Sequence, residues 1–174
     1  VMWTEEDGIV PLGETVWRPF DVSDNGVVVG IDINWEAVRW TPDDGYITLS
    51  RPDESNVFWP RIVSNDGATV AGISYDRTIS WRWTVESGFT ELRAPEVDRV
   101  TVMDMTADGS TLVGGYSGPD GNAPFVWTEE SGILELPGWS SRRHRYASAI
   151  TADGSVIVAG YGEPVIWNQQ DGVR

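Results

Sequence analysis

The single histidine of the chain, His144, is the first residue to consider for chemistry, because histidine is the usual general base in catalysis. It lies in a short segment of serines and arginines: Ser140, Ser141, Arg142, Arg143 and Arg145. A serine–histidine–aspartate site would have to use His144, but proximity in sequence does not supply the geometry of a triad. We therefore predict that the segment is a solvated or ion-paired loop, and that the chain is not an enzyme.

Two residue types that often carry covalent chemistry are missing from the chain. Cysteine is absent, which excludes disulfides and thiol catalysis. All 12 basic residues are arginines, which excludes Schiff-base and general-base chemistry of lysine. Arginine keeps bidentate pairing with carboxylates available.

Oxygen-bearing side chains at alternating positions before a glycine resemble the start of a calcium loop. Two stretches have this pattern: Asp21, Ser23, Asn25 and Gly26, and then Asp104, Thr106, Asp108 and Gly109. The terminal bidentate carboxylate of such a loop is missing, and Ile62 and Ala149 occupy the first position elsewhere. Turn chemistry explains the Asn and Asp residues without an ion. We predict no metal and no cofactor.

The elements that must position these residues form a repeat. Five tryptophans are each followed five residues later by glycine, and in four copies a leucine follows after nine: Trp3, Trp40, Trp83, Trp127 and Trp167; Gly8, Gly45, Gly88, Gly132 and Gly172; Leu12, Leu49, Leu92 and Leu136. This constant length predicts a hairpin with a buried tryptophan and a glycine at positive φ. We expect Trp40, Trp83 and Trp127 to be buried at equivalent positions.

A second hairpin is predicted within each repeat. Its turns carry the dipeptides Asn25-Gly26, Asp66-Gly67, Asp108-Gly109 and Asp153-Gly154. Such dipeptides favour type I′ turns, in which both central residues have positive φ. Each repeat is therefore expected to contain four short strands.

The repeat length predicts the fold class. The anchor tryptophans are 37, 43, 44 and 40 residues apart, close to the roughly 40 to 50 residues of a four-stranded propeller blade. We predict one all-β domain over residues 1–174, with a β-propeller-like array of about four blades plus a partial blade. The expected units are 1–12, 13–49, 50–92, 93–136 and 137–174, and the first and last are partial.

Charge limits the classes of partner. The formal net charge is −15, from 27 acidic and 12 basic residues. This excess disfavours nucleic acid and anionic membrane surfaces. The sequence contains no apolar run of the roughly 20 residues that span a bilayer. We predict no nucleic acid partner and no membrane insertion.

Tryptophans outside the anchor set are candidates for carbohydrate binding, because exposed indoles stack on sugars. Trp17, Trp59 and Trp139 lie in connections between an outer strand and the next inner strand, which should emerge on one face of a propeller. The alternative is that these indoles fill gaps between neighbouring blades.

A fairly specific motif recurs along the chain, and its best-matching copy is Pro124-Phe125-Val126-Trp127-Thr128, Gly132, Leu136, Ala149-Ile150, Asp153-Gly154, Val158 and Gly160. This pattern resembles the HAF-repeat family of bacterial extracellular proteins. The position of that family's histidine is occupied here by Glu36, Ile79, Ala123 and Glu163. The resemblance covers essentially the whole chain and implies a secreted or surface-exposed repeat protein with a propeller-like fold. It implies no defined reaction.

The sequence thus favours a noncatalytic extracellular module that mediates protein contact, in a cell-surface or self-assembling structure. Arg142, Arg143, His144 and Arg145 are expected to form an interaction element that meets acidic surface on a protein partner or another copy. The alternative function is a lectin-like propeller that binds glycan through Trp17, Trp59 and Trp139.

Overall fold

A computed structural model describes residues 1–12, 16–49, 58–94, 97–119, 121–136, 146–160, 165–168 and 172–173. These residues form eighteen strands in five antiparallel sheets. None of them belongs to a helix long and apolar enough to cross a lipid bilayer.

Each four-stranded sheet is built from consecutive strands, and we call it a blade. A hairpin of β1 (Met2–Thr4) and β2 (Gly8–Val10) comes first. Blade 1 contains β3 (Arg18–Val22), β4 (Val28–Ile31), β5 (Ala37–Thr41) and β6 (Gly45–Thr48). Blade 2 contains β7 (Phe58–Val63), β8 (Thr69–Ser74), β9 (Ser80–Thr84) and β10 (Gly88–Leu92). Blade 3 contains β11 (Arg99–Met105), β12 (Thr111–Gly118), β13 (Gly121–Thr128) and β14 (Gly132–Glu135). Blade 4 contains β15 (Ala147–Ile150), β16 (Val156–Ala159), β17 (Val165–Asn168) and β18 (Gly172–Val173).

The predicted all-β, propeller-like architecture is confirmed. Strand order in every blade follows the sequence, so neighbouring strands are joined by short turns. The main contacts between blades connect each blade with the next one along the chain. Four twisted sheets packed face to face in this way are the propeller arrangement.

The second strand of each blade supplies the residue that the next blade covers. Val29, Ala71 and Val113 occupy this position in blades 1, 2 and 3, and all three are 0% exposed. Each belongs to a core that also contains residues of the following blade. The core of the molecule therefore lies between the sheets, one layer for each pair of blades.

The burial predicted for the anchor tryptophans is only partly correct. Trp127 is 7% exposed, but Trp40 and Trp83 are only partly buried and Trp3 is 69% exposed. Trp81, which is outside the anchor set, is instead fully buried. Trp81 lies in the middle of β9 opposite Gly72, where a Cβ would come 2.6 Å from the indole, so a glycine is needed to make room for the ring. Trp83 lies nearer the exposed turn.

The type I′ assignment of the second hairpin is wrong. Gly26, Gly67, Gly109 and Gly154 do have positive φ, but the residue before each does not. The N–H of Gly26 donates to the Ser23 carbonyl at 3.0 Å, and the other three glycines make the same bond. The turn is therefore one residue wider, with the glycine after the turn in the left-handed region. A serine or threonine hydroxyl that bonds the Asn or Asp side chain stabilises this wider turn.

The spacing that resembled a calcium loop has another use. The Oδ2 of Asp21 accepts a hydrogen bond of 2.9 Å from the N–H of Val63 in blade 2. In the same way, the Oδ2 of Asp104 accepts one of 2.8 Å from the N–H of Ile150 in blade 4. Register shifts in β3 and β11 immediately precede the two aspartates. These carboxylates therefore join adjacent blades.

Two glycines with the same backbone conformation test this packing. Gly109 and Gly132 have φ of 66° and 64°, but only at Gly109 would a Cβ meet another blade, 2.5 Å from the Cβ of Thr69. Gly132→Ala should lower the free energy of unfolding by about 1 kcal/mol through backbone strain alone. Gly109→Ala should lose roughly 1 to 3 kcal/mol more because of the overlap. Urea unfolding of both variants measures this, and equal losses would contradict the close approach of blades 2 and 3.

Candidate functional site: an aromatic surface on two blades

The structure places only two of the predicted binding residues. Trp17, just before β3, is 55% exposed, and Trp59 in β7 is partly buried. The others lie outside the described residues: Trp139, Arg142, Arg143, His144 and Arg145.

Trp17 and Trp59 are brought together by a third tryptophan. The ring of Trp35 lies 5.2 Å from that of Trp17, edge to face, and stacks 6.2 Å from that of Trp59 with an interplanar angle of 21°. Tyr75 continues the row at 5.2 Å from Trp59. We call Trp17, Trp35, Trp59 and Tyr75 the aromatic surface. Since Trp17, Trp35 and Tyr75 are 55%, 41% and 63% exposed, the row faces solvent.

Two loops at the same edge of neighbouring blades hold these rings. Trp35 lies in the β4–β5 connection and Tyr75 in the β8–β9 connection. The N–H of Trp17 donates to the carbonyl of Ile31 at 3.0 Å, which fixes Trp17 beside the β4–β5 loop. In an antiparallel blade this edge also receives the chain from the preceding blade, so both kinds of connection contribute rings.

The β4–β5 loop is held by Asp32. Its buried carboxylate accepts hydrogen bonds of 2.8 Å from the N–H groups of Asn34 and Glu36, and its carbonyl accepts one of 3.1 Å from Trp35. Together these bonds close a tight loop with Trp35 near its end. Trp35 consequently has φ of 68°.

A tryptophan at positive φ is unusual, because its Cβ is strained there and glycine is not. Arg77 occupies the corresponding position of the β8–β9 loop, with φ of 61°. These are the two non-glycine residues with positive φ in the part of the chain that the structure describes. The two loops therefore have the same strained turn position, which presents an indole in blade 1 and a guanidinium in blade 2.

The place of Trp17 and Trp59 in the repeat selected them as binding residues, but Trp35 was not selected. The sequence feature that could have identified Trp35 is the segment Asp32-Ile33-Asn34-Trp35. Asp and Asn predict a turn there, and apolar residues in a turn are expected to be exposed. Ile33 is 73% exposed, as an apolar residue at a loop tip must be.

Trp59 forms the floor of the aromatic surface. Its indole nitrogen is buried and has no hydrogen-bond partner, so the ring is held by packing. Phe20 packs against it at 6.1 Å, and the guanidinium of Arg18 lies 5.1 Å from the centre of the Phe20 ring. Only the exposed part of the Trp59 ring could contact a ligand or partner, because the indole nitrogen is buried.

The opposite edge of the blades is acidic. It carries the turns between first and second strands and between third and fourth strands, and these hold twelve exposed carboxylates among the described residues: Glu5, Glu6, Asp7, Asp24, Asp43, Asp44, Asp66, Glu86, Asp108, Glu129, Glu130 and Asp153. We call this the acidic turn face. Arg39 and Arg82 lie there but are partly buried. Much of the net negative charge is thus far from the aromatic surface.

Blades 2 and 3 leave a groove of about 510 Å³ on the acidic turn face, lined in part by Asp66, Glu86 and Asp108. Arg82 lies in this groove, with its Nη1 3.8 Å from Glu129 and its guanidinium 5.6 Å from the centre of the Trp127 ring. No three Asp, Glu, His or Cys residues are grouped to hold a metal ion in the described chain. The contacts of Arg82 with Glu129 and Trp127 in this groove join blades 2 and 3.

Carboxylates in the wider turns are stabilised in their ionised form. The hydroxyl of Ser64 and the N–H of Ala68 donate to Asp66 and hold its pKa below the ordinary value, against smaller opposing effects of burial and of the Asp108 charge. The hydroxyl of Thr151, with the N–H and hydroxyl of Ser155, lowers the pKa of Asp153 to about 2. Asp66 and Asp153 therefore remain ionised at neutral and mildly acidic pH.

Asp153 gives a test of these turns. Because its folded pKa is lowered, its ionised carboxylate stabilises the fold above about pH 4, and this contribution is lost as the pH falls through about 2. Asp153→Asn should keep the turn, since Asn25 accepts the same hydroxyl bond in blade 1.

We therefore expect the difference in unfolding free energy between the parent and Asp153→Asn to be constant above about pH 4 and to change, against the parent, at lower pH. Urea unfolding across this range measures the difference. A difference that does not vary with pH would show that the hydroxyl bonds do not lower this pKa.

The sequence matches no family model and no curated protein. Solved structures of low identity share its fold. TolB from Acinetobacter baumannii is 12% identical with a TM-score of 0.58, over 92% of this chain and 43% of TolB. Virginiamycin B lyase from Staphylococcus aureus is 18% identical with a TM-score of 0.55, over 90% of this chain and 54% of the lyase.

A chain in a nidogen/laminin complex is 14% identical with a TM-score of 0.55, over 86% of this chain and 58% of that one. The protein thus spans about half the length of the structures it resembles. These similarities show that the fold is that of a β-propeller.

Proposed function

We propose that this protein is a noncatalytic, propeller-type binding module that contacts a protein partner through the aromatic surface. The observation that carries the proposal is the row of Trp17, Trp35, Trp59 and Tyr75, with Trp35 held at φ of 68°. The three indole rings provide contact area and contain no acid, base or nucleophile suited to catalysis.

The composition of this surface favours a protein partner. Tryptophan, tyrosine and arginine are the residue types that dominate binding energy at protein interfaces. Arg18 directly follows Trp17 in the sequence, and Arg77 lies two residues after Tyr75. Each large ring can bury about 150 to 250 Å². Contiguous exposed apolar area on a monomer commonly marks an interaction site.

The similar structures support binding as one use of this fold. One is a complex of nidogen with laminin, whereas another is named as a lyase. Because the fold serves both binding and catalysis, the proposal rests on the surface residues of this chain.

The resemblance to HAF-repeat proteins supports an extracellular or cell-surface location. In this proposal, Arg142, Arg143, His144 and Arg145 form a second contact element, and the acidic turn face of another copy offers complementary charge. Added salt should weaken such a contact through screening. Self-association that is unchanged when the three arginines are replaced by serine would contradict it.

A glycan is the second candidate partner. Exposed indoles stack on sugar rings, and the same loops carry polar residues, with Asn34 directly before Trp35 and Thr78 three residues after Tyr75. A glycan would use the same rings, so the chemical nature of the partner must be tested directly.

The strained residues provide a matched pair of variants. Trp35→Gly removes the ring and relieves the positive-φ strain, whereas Arg77→Gly relieves the same strain and leaves all four rings in place. Arg77→Gly should fold at least as stably as the parent, and Trp35→Gly should remain folded because the relief of strain offsets part of the lost ring packing. With the immobilised chain and a surface-protein extract of the cells that produce it, Trp35→Gly and Trp17→Ala should lose the captured partner and Arg77→Gly should retain it.

Treatment of the extract distinguishes the two candidates. Protease digestion should abolish capture by the parent chain, and periodate oxidation of glycans should leave it intact. The reverse result, with quenching of tryptophan fluorescence by glycans on an array, would replace the protein partner by a glycan. Equal capture by Trp35→Gly and Arg77→Gly would reject the aromatic surface as the binding site.

A further inference from the structure

The last strand of a blade has one side without a neighbouring strand. Among the described residues, β6, β10 and β14 each lie at the edge of a four-stranded sheet and pair with a single strand. An edge strand offers backbone N–H and C=O groups to any other extended chain, so proteins commonly place charged residues or proline there. The three edge strands differ in whether they carry such a residue.

β6 lacks the charged residue that the other two edge strands share. The fourth residue, counted from the glycine that begins the strand, is Glu91 in β10 and Glu135 in β14, but Thr48 in β6. Arg93 binds the carboxylate of Glu91 at 2.7 Å, and the hydroxyl of Tyr116 binds that of Glu135 at 2.6 Å. A strand added to β10 or β14 would have to take a carboxylate out of water, which is unfavourable. A strand added to β6 would not.

The outer side of β6 carries the backbone groups of Tyr46 and Thr48. The N–H of Leu49 donates to the carbonyl of Ala37, just before β5, at 2.7 Å. Backbone groups of an antiparallel strand point to alternate sides, so those of Ile47 point to β5 as well. The N–H and C=O groups of Tyr46 and Thr48 therefore point away from the blade, where an added strand can bond them.

The side chains of β6 provide apolar contact beside these backbone groups. Tyr46 is 48% exposed and Ile47 is 42% exposed. Because successive residues of a strand alternate, the two side chains lie on opposite faces of the blade. An added strand would thus cover apolar surface on both faces.

The turn before β6 determines the charge that suits an added strand. Asp43 and Asp44 are exposed in the β5–β6 turn. A strand antiparallel to β6 would have its C-terminal end beside this turn, where lysine or arginine would complement the two carboxylates. The β6 strand of a second copy fits less well, because each copy carries a net charge of −15.

From these observations we propose that the outer side of β6 is a docking edge for an extended, basic segment of a protein partner. The segment adds a fifth strand to blade 1, antiparallel to β6, and bonds the backbone of Tyr46 and Thr48. Its lysine or arginine residues lie beside Asp43 and Asp44. The docking edge uses no residue of the aromatic surface and does not rest on the proposed function.

A synthetic peptide with these properties tests the docking edge. The probe is acetylated and amidated, and alternating threonine and valine are followed by two lysines at its C-terminal end. A control peptide ends in two glutamates. Fluorescence anisotropy should show saturable binding of the lysine peptide and a dissociation constant at least about tenfold higher for the control. A lysine peptide that does not bind, or equal binding of the two peptides, would overturn the proposal.

Variants at Thr48 separate backbone pairing from side-chain contact. Thr48→Pro removes the outward N–H and keeps the bonds to β5, and Thr48→Glu introduces the residue found in β10 and β14. Each should raise the dissociation constant of the lysine peptide at least about tenfold. Thr48→Val retains the N–H and should bind like the parent, as should Glu135→Pro, the matched variant of β14. Thermal unfolding checks that all four variants are folded.

Amide hydrogen exchange locates the bound peptide. The N–H groups of Tyr46 and Thr48 should exchange at least about tenfold more slowly with the peptide bound, while those of Ile133 and Glu135 in β14 should not change. Protection at β14 instead of β6, or undiminished binding by Thr48→Pro, would contradict the docking edge. If sedimentation shows that the chain alone dimerises and that Thr48→Glu prevents it, a second copy replaces the basic segment as the occupant.

Discussion

The structure depends on the need to cover both faces of every sheet. The blades are short and apolar on both sides, so each can be buried only between two others. The central example is Val113, which is fully buried because blade 4 packs on it. Backbone hydrogen bonds to Asp21 and Asp104 then fix the register of neighbouring blades.

This packing leaves the two edges of the blades free to take different chemistry. At one edge, short turns need Asn, Asp and glycine for their conformation, and their carboxylates accumulate into the acidic turn face. At the other edge, Asp32 holds the β4–β5 loop with no glycine in it, and the rings of Trp17, Trp35 and Tyr75 are joined across two blades through Trp59. One repeated sheet therefore supports an acidic surface and an aromatic one.

Much of the fold could be predicted from the sequence, because the spacing between tryptophan and glycine is set by the lengths of the strands and turns. The burial of Trp81 and the exposure of Trp3 could not, because burial depends on which neighbouring sheet covers a ring. The turns were predicted one residue too narrow, since Asn-Gly and Asp-Gly also fit a wider turn closed by a serine or threonine hydroxyl. Trp17 and Trp59 were selected from their place in the repeat, but Trp35, which joins them, belongs to a loop whose conformation depends on Asp32.

Two alanine variants at the same strand position give the most direct test of the claim that burial is created by the next blade. Val113→Ala should lower the free energy of unfolding by about 2 kcal/mol, because it leaves a cavity under blade 4. Val158→Ala should lower it by less than about 0.5 kcal/mol, because the Val158 side chain is 36% exposed. Equal losses at the two positions, measured by urea unfolding, would contradict the account.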